Sequence, residues 1–453
     1  MPFIHRPPVQ RLVAICVAVV AAAVVIELVS AVAYFVLNGG LVYRKQPSSR
    51  APEGQPEVEP RIAPKTVLHS VLGFVNRPGI SVEESIGSRR VALMGSQGDA
   101  IDWALIRANG DGFFWPTDYP WQSSGENEFI VGVFGGSVAQ WLALQGGELL
   151  ATRIEQLDGF AGRRVRVLPF AQGGFKYPQQ IQTLSYFSSI GQRFDVVIDI
   201  SGFNEVALSS FNVAKGVHFG FPSFMHLGPM LQLIASDAAP PETMCLLSRI
   251  RSYTARAANL KTRVDESRVA SLWLLRSLRL RVVESRLDSA QTELSLASST
   301  GDFQFISVPR VDTPSDLEGA CSDAALQWSR GVSMMRALAR GIDAEFIEVL
   351  QPNQYYSGHE FSSGERSLAL SSRSVFREPV EIGYPLLRAA VDNLREEGVH
   401  VIDAVDVFDS ESRPVFSDNC CHYNDLGNRI LVDRIIEELR PVLVARLQRS
   451  SNP

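Results

Sequence analysis

Five short runs of β-branched and aromatic residues alternate along the chain with longer segments of helical apolar spacing. The runs lie at 129–134, 164–170, 194–200, 344–350 and 399–403, and the helical patterns at 138–157, 324–340 and 386–397. Strands that alternate with helices indicate a mainly parallel sheet with helices on both faces. We therefore predict an α/β fold, a three-layer α/β/α sandwich.

Length, composition and charge exclude several other classes of protein. The chain has 453 residues, 45% hydrophobic and 20% charged, a globular balance that excludes a disordered, collagen-like or coiled-coil chain. Lys and Arg minus Asp and Glu is 43 − 49 = −6, which does not favour nucleic acid as a partner. The chain has neither Cys-x-x-Cys nor His-Glu-x-x-His, so we expect no metal and no cofactor.

Small and polar residues follow the first three predicted strands. Ser137, Gly174 and Asn204 come just after the first, second and third strand. Ligands of such sheets bind beyond the carboxyl ends of the strands, so these residues are expected to meet. A polar stretch at 417–428, with His422 at its centre, lies near the C-terminus. Taken singly, each residue also fits a structural role: a tight turn, a helix cap or a structural histidine.

Taken together and in this order, the residues resemble the four blocks of the SGNH (GDSL-like) hydrolase family. The corresponding segments here are 134–139, 171–175, 201–205 and 418–422. The resemblance covers roughly 66–205 and 320–445, and segments 72–79 and 112–114 are similar to the lead-in of bacterial members. Glu205 stands where the family usually has Asp. The resemblance implies a sandwich of the SGNH or flavodoxin-like type and serine-based acyl transfer.

The resemblance also implies a role for each residue. Ser137 would be the nucleophile and His422 its base, with Gly174 and Asn204 joining the Ser137 N–H to bind the oxyanion. The family usually has Asp three residues before the histidine, and here Asn419 holds that place. We expect Asp418, one residue earlier, to supply the carboxylate. If Asn419 were the true equivalent, the histidine would lack its acidic partner.

The implied function is ester hydrolysis or acyl transfer. The substrate would be an O-acyl ester, for example an acetyl group on a surface glycan, and this step rests on family analogy. The alternative is a catalytically inactive carbohydrate-binding or assembly protein on the same fold. A third reading is a scaffold that works through a basic helical insertion.

The N-terminal region predicts a single membrane-spanning helix at 12–37, after a tail at 1–11. These 26 residues include only two strongly polar side chains, Glu27 and Ser30, and about 20 apolar residues cross a bilayer. A cleaved signal peptide is the alternative. Glu27 can pair with another helix. The alternative, which we prefer, is that Glu27 is protonated or lies near the membrane interface. Arginines flank both ends, so charge determines orientation poorly, and we expect the large body on the extracytoplasmic side.

The remaining chain divides into a linker and one interrupted domain. The linker, 38–65, has five prolines after residue 46, and the hydrolase-like domain is predicted at 66–453. A helical insertion is expected at about 206–315. Its segment 249–286 has ten Lys and Arg against three Asp and Glu, a net charge of +7. One interpretation is a basic arm that binds lipid headgroups or an anionic polymer. The other, which we prefer, is a helical excursion whose basic face is solvated.

The cysteines and tryptophans receive structural interpretations. If the body is exported, Cys321 can pair with Cys420 or Cys421, and free thiols are the equal alternative. Trp115 and Trp121 are expected to pack in the core rather than to form a platform for sugars.

Overall fold

The computed structural model describes most of the chain and divides it into two compact units. The residues described are 9–38, 40–44, 65–87, 91, 93, 103, 105–122, 125, 127–234, 241–297, 307–310 and 316–451. The first unit, here the anchor unit, comprises Met1–Ala63 and Ala239–Ala297. The second, the core unit, comprises Pro64–Ala238 and Ser298–Pro453. Most of the predicted linker, 45–64, lies outside the described residues.

The anchor unit is built from three long helices. Helix α1 spans Val9–Asn38, and a single 3₁₀ turn follows at Val42–Arg44. Its apolar segment Ile15–Leu37 is long enough to cross a membrane, and only 6% of it is buried within the protein. A helix this apolar and this exposed is unlike a core helix of a soluble protein. One N-terminal helix capable of spanning a membrane is therefore present, as predicted.

The other two helices of the anchor unit form a hairpin from the predicted insertion. They are α7 at Pro241–Asp265 and α8 at Ala270–Ala297. Leu246 and Ile250 of α7 pack with Ala290 and Leu294 of α8, which requires the two helices to run in opposite directions. The insertion thus contributes two long helices to this unit.

The contacts of helix α8 with α1 include a ring pair and a carboxylate. Tyr34 meets Trp273 edge to face, with ring centroids 4.8 Å apart. Glu27 accepts hydrogen bonds from the backbone N–H groups of Ala270 (2.7 Å) and Ser271 (3.0 Å). The first N–H groups of a helix have no partner within the helix, so a carboxylate there acts as a cap. Glu27 therefore pairs with another helix, and the preferred interpretation of a protonated or interfacial side chain is wrong.

The core unit holds the sheet and the remaining helices. Its strands are β1 Thr66–His69, β2 Gly73–Asn76, β3 Glu128–Gly135, β4 Arg164–Ala171, β5 Val196–Ser201, β6 Glu345–Leu350 and β7 Val401–Asp403. Its helices are α2 Val82–Ile86, α3 Ser137–Glu155, α4 Gln179–Ser189, α5 Phe203–Ala214, α6 Phe224–Ile234, α9 Leu317–Gly341, α10 Ser363–Ala369, α11 Arg377–Glu396 and α12 Asp425–Ser451. Strands β1 and β2 form an antiparallel hairpin, and the other five strands form one parallel sheet in the order β4-β3-β5-β6-β7.

The parallel sheet confirms the predicted mixed α/β class. Each of the five predicted strands is present within about two residues of its expected place. All six residues of β5 are buried, as expected for a parallel strand that is covered on both faces. Counted along the chain, the strand order is 2-1-3-4-5, so the direction of winding reverses at β3. A crevice forms at the carboxyl end of the sheet where such a reversal occurs.

Part of the insertion predicted at 206–315 packs in the core unit. Helix α5 lies within that range, yet Val206, Ala207 and Val213 are buried in the main core or beside it. At Gly383 of α11 an added Cβ would lie 2.5 Å from Val206, so these two helices are in close contact. The apolar face of α5 therefore keeps it in the core unit, and the excursion begins near residue 239.

Candidate active site

Ser137 is presented by a tight turn between β3 and α3. Gly135 ends the strand with φ +128°, a backbone conformation that favours glycine. At Gly136 an added Cβ would lie 2.1 Å from Nδ2 of Asn204, so any side chain there would collide with the turn after β5. The two glycines thus allow the end of β3 to approach the segments that follow β4 and β5. Ser137 is the first residue of α3, where the helix dipole favours negative charge.

His422 connects the hydroxyl of Ser137 with the carboxylate of Asp418. Its Nε2 lies 2.7 Å from Ser137 Oγ, and its Nδ1 lies 2.5 Å from Asp418 Oδ2. The Ser137 and His422 side chains meet although 285 residues separate them along the chain. With the proton on Nδ1 held by the carboxylate, Nε2 is free to accept the proton of the serine. The arrangement has the geometry of a nucleophile, a base and an orienting acid.

Asp418, and not Asn419, is the residue that faces the imidazole. Its second oxygen, Oδ1, accepts hydrogen bonds from the N–H groups of Cys420 (2.9 Å), Cys421 (3.2 Å) and His422 (3.3 Å). These bonds curl the loop around the carboxylate. Asn419 instead offers its backbone carbonyl to the hydroxyl of Tyr355 at 2.9 Å.

Gly174 lies in the turn after β4, and Asn204 is the second residue of α5, just after β5. Gly174 has φ +84°, and an added Cβ there would lie 2.5 Å from the ring of His226. At the neighbouring Gly173 an added Cβ would lie 3.8 Å from Cβ of Ser137. Asn204 donates from Nδ2 to the carbonyl of Phe175 at 2.7 Å. All five residues predicted from the sequence thus lie on strand-end turns or the loop that adjoins them.

Glu205 ties these two turns together. Its Oε2 accepts the N–H of Gly202 at 2.7 Å, and its Oε1 accepts the N–H of Tyr177 (3.2 Å) and the amide of Gln180 (3.1 Å). Burial raises the pKa of this carboxyl, and the backbone hydrogen bonds oppose that shift. The sequence showed Glu205 only as a departure from the family pattern. Its bonds across two turns depend on residues about 28 positions apart.

His226 was not identified from the sequence. It is partly buried, stacks on Phe74 with centroids 5.5 Å apart, and bonds to Ser223 Oγ at 2.8 Å. Burial lowers the pKa of His226 to about 4, so the ring beside Gly174 is neutral at physiological pH. A single histidine in the first turn of α6 has no local signal for this position.

A buried histidine and glutamate support the loop that bears His422. His359 Nε2 lies 2.9 Å from Glu365 Oε2, and both side chains are almost wholly buried. Glu365 Oε1 accepts the N–H groups of Val415 (2.7 Å) and Phe416 (2.9 Å), just before the loop. A buried carboxylate with several partners holds its segment firmly, because leaving those groups unpaired is costly. The sequence analysis did not single out either residue.

The cysteines are free thiols, and Cys321 is not paired with the active-site loop. All five lie in the described part of the chain, and none forms a disulfide. Cys321 contacts Ser210 Oγ and the carbonyl of Pro379. Cys420 and Cys421 have sulfurs 3.6 Å apart. Burial raises the pKa of the Cys421 thiol.

Trp115 and Trp121 are part of the packing, as expected. Both are partly buried against the main core, with ring centroids 6.4 Å apart. Trp121 donates to Glu128 at 3.2 Å and lies under the guanidinium of Arg166. These contacts occupy the ring and the N–H of Trp121.

No protein-family model matches this chain, and no curated protein is significantly similar to it.

Proposed function

We propose that the protein is a serine esterase or acyl-transfer enzyme of the SGNH type. The observation that carries the proposal is the contact of His422 with Ser137 at 2.7 Å and with Asp418 at 2.5 Å. The strand order 2-1-3-4-5 is that of flavodoxin-like sheets, and it supports a three-layer sandwich with its site at the strand ends.

The chemistry follows from the three side chains. Ser137 Oγ attacks the acyl carbonyl while His422 Nε2 takes the hydroxyl proton. The proton then passes from His422 to the leaving alcohol, and the acyl group remains on Ser137 as an ester. Water or an acceptor alcohol attacks that ester and loses its proton to His422, which passes a proton to Ser137 Oγ as the acyl group is released. Asp418 keeps the imidazole oriented and stabilises its charged form.

The oxyanion is assigned to the N–H groups of Ser137 and Gly174 and the amide of Asn204. The amide of Asn204 carries two hydrogens, and the bond to Phe175 uses one of them. That bond also holds the amide in place before substrate arrives. A fixed donor of this kind contributes about 3 kcal/mol to transition-state stabilisation.

The substrate we propose is an O-acyl ester, for example an acetyl group on a surface glycan. The protein would be held at the membrane by α1, with its core unit on the extracytoplasmic side. The main alternative is a non-catalytic glycan-binding or assembly protein. It is favoured if Asn419 takes the place of the acid, because His422 then has no carboxylate partner. The contact between Asp418 and His422 removes the observation that favoured it.

The test is covalent labelling of the detergent-solubilised full chain by a fluorophosphonate. We expect labelling of the wild type and its loss in Ser137→Ala and His422→Ala. Ser189→Ala, which removes an exposed serine at the end of α4, is the matched control and should label normally. A folded wild type that neither labels nor hydrolyses p-nitrophenyl acetate would contradict the proposal and favour glycan binding.

A further inference from the structure

Three metal-binding side chains meet beside the Ser137 hydroxyl. The ligand atoms of Cys420, Cys421 and His422 all lie within 4.8 Å of one another. The two sulfurs are 3.6 Å apart. In a tetrahedral zinc site with Zn–S bonds of about 2.3 Å, two sulfurs lie roughly 3.8 Å apart. The thiol pair therefore already has the separation that one ion requires.

The loop holds these side chains in this arrangement. Asp418 Oδ1 binds the N–H groups of all three residues, and Asn353 Nδ2 donates to the carbonyl of Cys420 at 3.1 Å. Cys421 is buried, and Cys420 is partly exposed, so one thiol faces the protein and the other is reachable. An ion can thus reach the pair without unfolding the loop.

The contacts of His422 identify the ring nitrogen that is available to a metal ion. Nδ1 is held by Asp418, while Nε2 lies beside Ser137 Oγ. Because the carboxylate already engages Nδ1, Nε2 is the ring nitrogen left to bind an ion beside the two thiols. Histidines that bind zinc commonly give their other ring N–H to a carboxylate, and Asp418 already takes that role. Two sulfurs and a nitrogen are donors that suit zinc, with water or Ser137 Oγ left for the fourth position.

We propose that Cys420, Cys421 and His422 form a zinc site that competes with the Ser137–His422 contact. Binding of Zn²⁺ displaces the two thiol protons into solvent and takes the lone pair of Nε2. His422 then cannot accept the serine proton, so zinc turns off acyl transfer. Zinc binding is independent of the proposed function, and the inhibition rests on it.

Binding is tested on the full chain, reduced with a phosphine. Zinc uptake is measured by equilibrium dialysis, and Cd²⁺ is used as a second probe because its thiolate complexes absorb in the ultraviolet. We expect about one ion per chain and a Cd–thiolate band for the wild type. Cys420→Ser should weaken binding at least about tenfold and reduce the band. Cys245→Ser, which removes an exposed thiol of α7, is the matched control and should change neither.

Inhibition is tested by fluorophosphonate labelling, with each variant compared with its own zinc-free rate. We expect zinc to block labelling of the wild type, chelator to restore it, and Cys420→Ser to need at least about tenfold more zinc. Zinc uptake that is absent, or that is unchanged in Cys420→Ser, would overturn the site. Bound zinc with undiminished labelling would overturn the competition with Ser137. If zinc-free protein never labels, the proposed function fails, while the Cd–thiolate band still decides the metal site.

Discussion

The carboxylate of Asp418 bonds to His422 through both of its oxygens. Oδ2 meets Nδ1 of the ring at 2.5 Å, and Oδ1 accepts the backbone N–H of the same residue at 3.3 Å. One side chain thus sets both the orientation of the imidazole and the shape of the loop that carries it.

We expect Asp418→Ala to lower kcat/KM for an ester substrate by on the order of 10⁴-fold, because the imidazole loses its orienting partner. Asn419→Ala should lower it by no more than a few-fold, since the contact of Asn419 with Tyr355 is made by its backbone. Steady-state kinetics on p-nitrophenyl acetate compare the two. The reverse ranking would refute the assignment of Asp418 as the acid.

Glu205→Gln should reduce both stability and turnover. The carboxylate accepts bonds from Gly202, Tyr177 and Gln180, and an amide nitrogen in place of one oxygen would face an N–H donor. We expect the free energy of unfolding to fall by about 1–3 kcal/mol. Because the turns that bear Gly174 and Asn204 loosen, kcat should fall while KM changes little. Denaturant titration and kinetics measure the two effects.

The matched control for Glu205 is Glu155→Gln, which alters a carboxylate that accepts one backbone N–H at the end of α3. It should leave kcat close to the wild-type value. Equal losses of kcat in the two variants would remove Glu205 from the positioning of the site.

Asp199→Asn should make stability depend less on pH. Asp199 and Glu348 are buried side by side, and burial raises the pKa of Asp199 to about 7 and that of Glu348 as well. The folded chain therefore keeps protons that the unfolded chain releases near the ordinary value of 3.8. The contribution of this pair to the free energy of unfolding is fully present below pH 3.8 and is lost as the pH rises through about 7.

Chemical unfolding at pH 5 and pH 8 measures this effect. We expect the loss of unfolding free energy between the two values to shrink by roughly 2 kcal/mol in Asp199→Asn. Asp392→Asn, a change at a carboxylate of α11 that is 82% exposed, is the control and should behave as the wild type does. An unchanged pH dependence in Asp199→Asn would show that this pair does not hold extra protons in the folded state.

Glu27→Ala should loosen the hairpin of α7 and α8. The carboxylate caps the first N–H groups of α8, and the loss of a cap costs about 1–2 kcal/mol. We expect faster tryptic cleavage within 249–286, which has ten Lys and Arg, when the full chain is held in lipid nanodiscs. Glu293→Ala removes a carboxylate of α8 that pairs with Arg249 and is half exposed, so its effect should be small. Equal cleavage rates in the two variants would contradict a capping role for Glu27.

The strands of the sheet could be predicted because their signals are local. Runs such as Val196–Ser201 combine β-branched residues with a glycine immediately after the strand, and neither signal depends on distant residues. The extent of the insertion could not be predicted in this way. Helix α5 lies in the predicted insertion, and its burial in the core and its close contact with Gly383 of α11 show that it belongs to the core unit.

The choice between Asp418 and Asn419 depends on loop geometry that a one-residue difference in spacing cannot reveal. The contacts of Glu365 with Val415 and Phe416 join segments 50 residues apart, so no short motif contains them. No sequence motif predicts the thiol site either, because adjacent cysteines do not match the usual spacing of zinc ligands. The fold brings the loop that carries them to Ser137.

The sequence by itself determined the α/β class, an N-terminal helix able to cross a membrane, and the residues that a serine-based site would need. Periodicity, turn residues and apolar length encode these features within a few positions of the chain. Only the tertiary structure decided that Ser137 meets His422, that Asp418 faces it, that Glu27 caps a distant helix, and that two thiols adjoin His422. The contact of Ser137 with His422 joins residues 285 positions apart at the edge where the parallel sheet gathers its strand ends. The contacts of Glu27 arise from the packing of helices in the anchor unit.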